Sequence, residues 1–232
     1  MAKRMSQWIH VLTSREEGLS ILLLILIVII FLIYPLQTVG ITSLLLVRLF
    51  FSFLVVAGVW TLSPNKKIFV LALVSALVYL IFQWYRAISQ DKWVLLTNLS
   101  ITIAFEAMLT FFILVRTVAP GPVNRYRIEG SVVVYLMVGV LFSTVYTLIY
   151  SLNEGAFTFS NKPESVELAQ ASLTYFSFIT LTTIGYGDIQ PLHPFSQSAA
   201  MMEGLIGQLF PAILIGRLVS QSLTSPSDNI RH

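Results

Sequence analysis

The run Thr180-Leu181-Thr182-Thr183-Ile184-Gly185-Tyr186-Gly187-Asp188 combines residue types at a spacing that could do chemistry. Gly185 and Gly187 stand two apart, and glycine enters the positive-φ backbone region that a Cβ resists. The run therefore offers an unusual path of main chain, flanked by threonine hydroxyls and closed by one carboxylate. A plain turn between two helices is the simpler reading of the same glycines. Side-chain catalysis finds no support elsewhere. There is no cysteine, so thiolate nucleophiles, disulfides and Cys-based metal sites are excluded. No apolar stretch holds a Ser/His, HExxH or paired-Asp arrangement. His10, His193 and His232 all fall outside those stretches and read as surface residues; His193, closest to the run, is the one whose titration would be felt there.

The elements that must position this run are set by composition. Hydrophobic residues make up 56% of the 232-residue chain, charged residues only 11%, and mean hydropathy is +0.82. Soluble domains carry about 25% charged residues, so a soluble enzyme, a nucleic-acid-binding module and a disordered chain are all excluded. A bilayer core of about 30 Å takes roughly 20 apolar residues per helix. Runs of that kind extend over Gly18 to Leu36, Ile41 to Leu62, Ile68 to Tyr85, Trp93 to Val118, Gly130 to Tyr150 and Phe195 to Gln221. Ser14 and Glu17 form a capping-box pattern ahead of the first, and no small-residue cleavage site follows it.

A seventh helical pattern, Val166 to Thr180, is too short to span. It leads straight into the Thr/Gly run, and irregular backbone at membrane depth is tolerated only where protein encloses it or it lines an aqueous path. Lysine and arginine placement sets orientation. With both termini cytoplasmic, Lys3, Arg4, Arg15, Lys66, Lys67, Arg116, Arg125, Arg127, Arg217 and Arg231 lie inside, against Arg86, Lys92 and Lys162 outside.

Thr183-Ile184-Gly185-Tyr186-Gly187-Asp188, preceded by Thr182 and by the aromatic lead-in Tyr175-Phe176-Ser177-Phe178, closely resembles the pore signature of tetrameric potassium channels. The resemblance covers Glu129 to Ser220; the four earlier spans resemble only the general layout of six-span channels. It implies an all-α membrane protein with six transmembrane helices, and a re-entrant pore helix and selectivity filter between the fifth and sixth. One chain carries one filter strand, so the pore is a homotetramer.

Residues 1–118 form a four-helix, voltage-sensor-like domain, 119–128 a linker, 129–221 the pore domain and 222–232 a short cytoplasmic tail. Rings of backbone carbonyls replace the hydration shell of the permeant ion. By resemblance, potassium is held by the carbonyls of Thr183, Ile184, Gly185 and Tyr186 and by the Thr183 hydroxyl, within a filter extending to Gly187. Thr182, Asp188, Tyr175 and Phe176 support it, with Tyr186 braced against Tyr175 and Phe176. Ile179 stands where some relatives carry a pore-helix acid, so no such acid pair is inferred.

The function implied is passive, potassium-selective conduction in the plasma (inner) membrane; the alternative is a weakly selective cation channel or a modulatory subunit. The partners are identical copies, lipids and potassium ions, with no nucleic acid and no cofactor. Gly207 lies 19 residues after Asp188, near the hinge glycine of many relatives. It and Pro211 could bend the last span, or small residues there could serve close packing. Ile215 and Val219, four apart, are candidate gate residues.

The fourth span contains Arg116 at its cytoplasmic end but no arginine repeat, so voltage gating is expected to be weak or absent. Arg48 and Glu106 lie within spans and are expected to pair, with depths differing by about 9 Å at 1.5 Å per residue. Glu203 is assigned a structural role, either bonding the back of the pore helix or lying near the interface. With only Ser220 to His232 after Val219, no nucleotide- or calcium-binding regulatory domain is expected there.

Overall fold

The structure, a computed structural model, describes residues 18–38, 44–61, 66–89, 91–118 and 125–224. Helix α1 spans Gly18–Gln37 and widens into a π-helical turn over Ile29–Ile33. The Tyr34 N–H reaches back five residues to the Ile29 carbonyl. Pro35 has no N–H to continue the ladder, so a wide turn just before it absorbs the mismatch. Helices α2 (Leu44–Thr61), α3 (Lys66–Tyr85) and α4 (Lys92–Val118) follow. Next come α5 (Arg125–Leu152), the short α6 (Val166–Leu181) and α7 (Pro194–Thr224).

Each expected apolar run coincides with a helix, because long runs of Leu, Val, Ile and Phe leave the backbone to satisfy its own polar groups. Among the described residues, α1, α4 and α5 are long and apolar enough to cross a membrane by length and composition. Helices α2 and α3 carry shorter apolar stretches, Leu45–Val59 and Phe69–Tyr85. Apolar side chains such as Leu24, Phe31, Val74, Leu77 and Ile81 are exposed on their outer faces, as expected of a surface solvated by lipid.

Three local details differ from expectation in a chain that is mostly helical. Helix α5 begins at Arg125, so residues 125–128 of the expected linker are helical; Arg125 starts it with an i,i+4 ion pair to Glu129 at 2.6 Å. The last helix continues to Thr224, past the expected start of the tail. The fold is also not purely helical. Strands β1 (Phe157–Phe159) and β2 (Ile189–Pro191) pair antiparallel with Phe157 opposite Pro191 and Phe159 opposite Ile189. The capping box at Ser14 and Glu17, His10, His232, Lys3, Arg4, Arg15 and Arg231 lie outside the described residues.

Packing joins the two halves of the chain. Helix α4 packs along α5, and one apolar cluster contains Leu22, Leu26, Val55 and Leu109 together with Val133, Met137 and Val140 of α5. A second cluster surrounds α6, built from Phe142, Tyr146, Phe157, Leu173, Phe176 and Ile189. The ribbon thus brackets α6 and the following loop on a packed apolar base.

Candidate ion-conducting site

Helix α6 is fixed at both ends by its own sequence. The Ser165 side chain accepts the Leu168 N–H at 3.2 Å, and Glu167 puts a negative charge in the first turn, where the helix dipole favours it. At the other end the amides of the loop fold back onto the helix. Thr182 N–H donates to the Phe178 carbonyl at 3.0 Å and Thr183 N–H to Thr180 at 2.9 Å. Ile184 and Gly185 both donate to the Ile179 carbonyl, at 2.8 and 3.2 Å. The Thr182 hydroxyl adds a bond to Phe178 O at 2.6 Å.

This use of the donors leaves the acceptors free. Among the described residues, nothing donates to the carbonyl oxygens of Thr183, Ile184, Gly185 and Tyr186. The run 182–187 is exposed in the single chain. Its backbone has φ +60° at Thr183, +58° at Gly185 and +80° at Gly187. The two glycines behave as their type requires. Thr183 does not, since a β-branched residue at positive φ is an outlier whose cost, roughly 1–3 kcal/mol, is found mostly at functional sites. A left-handed residue at every second position breaks the alternation of an extended strand, in which successive carbonyls point opposite ways.

The loop is tied down where it leaves. The Asp188 carbonyl accepts both the N–H and the hydroxyl of Ser160, each at 3.0 Å, and Gln190 Nε2 donates to the Gly187 carbonyl at 3.0 Å. The Asp188 carboxyl Oδ1 is buried without a hydrogen-bond partner. The expected brace of Tyr186 on Tyr175 and Phe176 is not made within one chain. Tyr186 is 71% exposed, and the Phe176 ring packs edge-on against Tyr146 at 5.1 Å and Phe157 at 5.7 Å.

Gly207 is a packing residue in this structure. A Cβ there would sit 1.9 Å from the Leu181 carbonyl oxygen, so α7 rests its bare backbone on the last residue of α6. The same carbonyl accepts the Tyr135 hydroxyl of α5 at 3.1 Å, and the Tyr135 ring stacks on Phe210. Helix α7 continues unbroken through Pro211. The backbone at Ile215 and Val219 is helical, but their side chains lie outside the described residues.

Arg48 and Glu106 do not form the expected ion pair. Both line a cavity of about 80 Å³ that also touches Gln37, Arg86, Asn98 and Glu167, but Arg86 is the residue that pairs with Glu167, at 3.3 Å. Gln37 Oε1, Asn98 Nδ2 and Glu106 Oε2 are buried there without partners. Depth along the spans indicated that these two residues approach one another, but it carries no information about the face of the helix each occupies.

Sequence reading assigned Glu203 a structural role without fixing its partners. Its carboxyl bonds the Ser177 hydroxyl of α6 and the Tyr146 hydroxyl of α5, both at 2.5 Å. The only signal for this in the chain is a carboxylate placed where an apolar residue would serve a membrane helix better.

Comparison with known proteins bears on the same segment. Residues 133–222 match the Ion_trans_2 family, described as ion channel. The chain is 33% identical over 110 residues to two-pore potassium channel 5 of Arabidopsis thaliana, covering 46% of this chain and 24% of that protein. Two pore potassium channel c of Oryza sativa subsp. japonica is 38% identical over 89 residues, covering 38% and 17%. Protein LctB of Bacillus caldotenax is 32% identical over 88 residues, covering 37% and 64%. The chain thus spans a quarter or less of the plant relatives and under two thirds of the bacterial one. No solved structure matches it. Residues 133–222 are thus similar to an ion-channel domain, and the apolar helices fit a membrane protein.

Proposed function

We propose that the chain is one of four identical subunits of a potassium-selective channel that conducts passively, with residues 183–187 of each copy forming the selectivity filter. The observation that carries this reading is the row of carbonyl oxygens from Thr183 to Tyr186 that accept no hydrogen bond among the described residues, with the amides of Thr183, Ile184 and Gly185 spent on α6 and left-handed backbone at alternate positions. That alternation turns successive carbonyls toward one side. Four such rows around an axis supply the oxygens that replace water around a dehydrated potassium ion.

Helix α6 is the re-entrant pore helix, about 24 Å long at 1.5 Å per residue, with its partially negative C-terminus aimed at the cavity. The other six helices span the membrane, with both termini cytoplasmic. The ion-channel family model matches residues 133–222, which include this loop, and two of the relatives are named as potassium channels. Tyr186 and Ile184, 71% and 54% exposed in the single chain, are then covered by neighbouring copies. Asp188 lies at the outer mouth and concentrates cations there.

Single-channel recording of the purified, reconstituted protein in asymmetric potassium and sodium tests the reading. Unitary currents reversing near the potassium equilibrium potential are expected. Currents that follow sodium equally, or an absence of unitary steps, would overturn it.

A further inference from the structure

Glu203 is completely buried on α7, and so are its two partners, Ser177 on α6 and Tyr146 on α5. Among the described residues no lysine, arginine or histidine pairs with it. The titratable groups that face it are the phenols of Tyr146 and Tyr135, both on α5. A carboxylate left in such a place without a cation is strongly disfavoured.

Counting hydrogens decides its state. Ser177 Oγ lies 2.7 Å from the Gly139 carbonyl and 2.5 Å from Glu203 Oε1, while Tyr146 Oη lies 2.5 Å from Glu203 Oε2. Three contacts need three protons. A carbonyl and a carboxylate can only accept, and Ser177 and Tyr146 bring one proton each. With Glu203 ionised, the Ser177 hydroxyl would face two acceptors with a single hydrogen. With Glu203 neutral, every contact is satisfied: Tyr146 donates to Oε2, the acid donates from Oε1 to Ser177, and Ser177 donates to Gly139.

The chain of bonds starts on α5, passes through α7 and α6, and returns to α5. It lies one helical turn from a second junction of the same three helices. Glu203 and Gly207 are four apart on α7, Ser177 and Leu181 four apart on α6, and Gly139 and Tyr135 four apart on α5. At the second junction the Leu181 carbonyl meets Tyr135 and the bare backbone of Gly207. At the first, α6 also presses Phe178 onto Gly139, where a Cβ would lie 2.7 Å from the ring. Two layers of contact therefore hold the height and rotation of α6, whose Ile179 carbonyl anchors the amides of Ile184 and Gly185.

We propose that Glu203, held as the neutral acid, is a positioning residue for the ion path, clamping α6 through Ser177 so that the carbonyls of residues 183–186 keep their spacing. The role rests on the reading of that loop as a selectivity filter, but the proton does not.

Two measurements on the purified full-length protein keep these apart. An infrared difference spectrum, wild type minus Glu203→Gln, should show loss of a protonated carboxylic acid band whether or not the protein conducts. Loss of a carboxylate band instead would overturn the neutral state. In reconstituted vesicles, Glu203→Gln should keep the potassium-to-sodium permeability ratio within about twofold, because an amide donates and accepts in the same places as the neutral acid. Glu203→Leu should lower it by about tenfold or more, the factor that one unpaired buried polar group is worth.

If the leucine variant does not fold, Ser177→Ala serves in its place, with the same direction expected and Tyr146 still paired to Glu203. A glutamine variant as impaired as leucine, or folded leucine and alanine variants as selective as wild type, would overturn the positioning role. A wild type that does not discriminate potassium from sodium would instead remove the filter reading, leaving the spectrum to decide the proton alone.

Discussion

Two glycines of α7 separate packing from mere helicity at the scale of single residues. Gly207 meets the Leu181 carbonyl where its Cβ would be, whereas Gly204 has nothing within 4 Å of that position. Gly207→Ala should destabilise the assembled protein by about 1–3 kcal/mol, because neither backbone can yield without moving α6. Gly204→Ala should be neutral, or stabilising by up to about 1 kcal/mol from helix propensity. Thermal unfolding in detergent compares the two. Gly185→Ala poses a different problem: its Cβ also meets nothing, but its φ of +58° costs a side chain about 1–2 kcal/mol. Loss of potassium conduction without loss of assembly is the expected result, read by flux and size-exclusion chromatography.

Thr183 was the residue least legible in the sequence. The other two left-handed positions of the run, Gly185 and Gly187, are glycines, whose permissiveness can be read from their type. A threonine at positive φ is held there only by the bonds around it, and no local preference announces it.

Among the elements, the helices were legible and their contacts were not. Apolar runs between polar breaks located α1 to α7 to within a few residues, because run length is a one-dimensional property. The ribbon of β1 and β2 escaped notice because three residues carry no period, and Phe159 and Ile189 pair across 30 positions of chain. The Arg48 and Glu106 pairing failed for a related reason. Charge and depth put both residues in one cavity, but the guanidinium has Arg86 and Glu167 as its electrostatic neighbours. A double-mutant cycle on Arg48→Gln and Glu106→Gln should therefore give effects that add within about 0.5 kcal/mol, measured by thermal stability. A coupling well above that would restore the direct pair.

For the molecule as a whole, the prediction for voltage follows from the charges of α4. Its basic residues are Lys92 and Arg116 at the two ends, with Glu106 buried between them. Steep gating needs about 3–4 charges per subunit moving through the field. Conductance should therefore change only shallowly with voltage in planar bilayers, and a steep sigmoid would show a sensor elsewhere. Native mass spectrometry of the purified particle should find four copies of the 26.0 kDa chain. The single-chain fold is consistent with this: residues 182–187, Met201, Leu205 and Leu209 are exposed although they carry the apolar surface expected at subunit contacts or along a cavity.

In the proposed channel, the grip of α7 on α6 would limit how the conduction path opens. Glu203 bolts the upper part of α7 to Ser177, and one turn later Gly207 is seated on Leu181 with no space between them. A swing that began above Gly207 would drag the ion-binding strand with it. On the proposed reading, the fulcrum for a swing of the inner helix that spares that strand would therefore be at or beyond Pro211, where a missing N–H already weakens the ladder. The cytoplasmic half is the lever, and the outer half stays clamped while it moves.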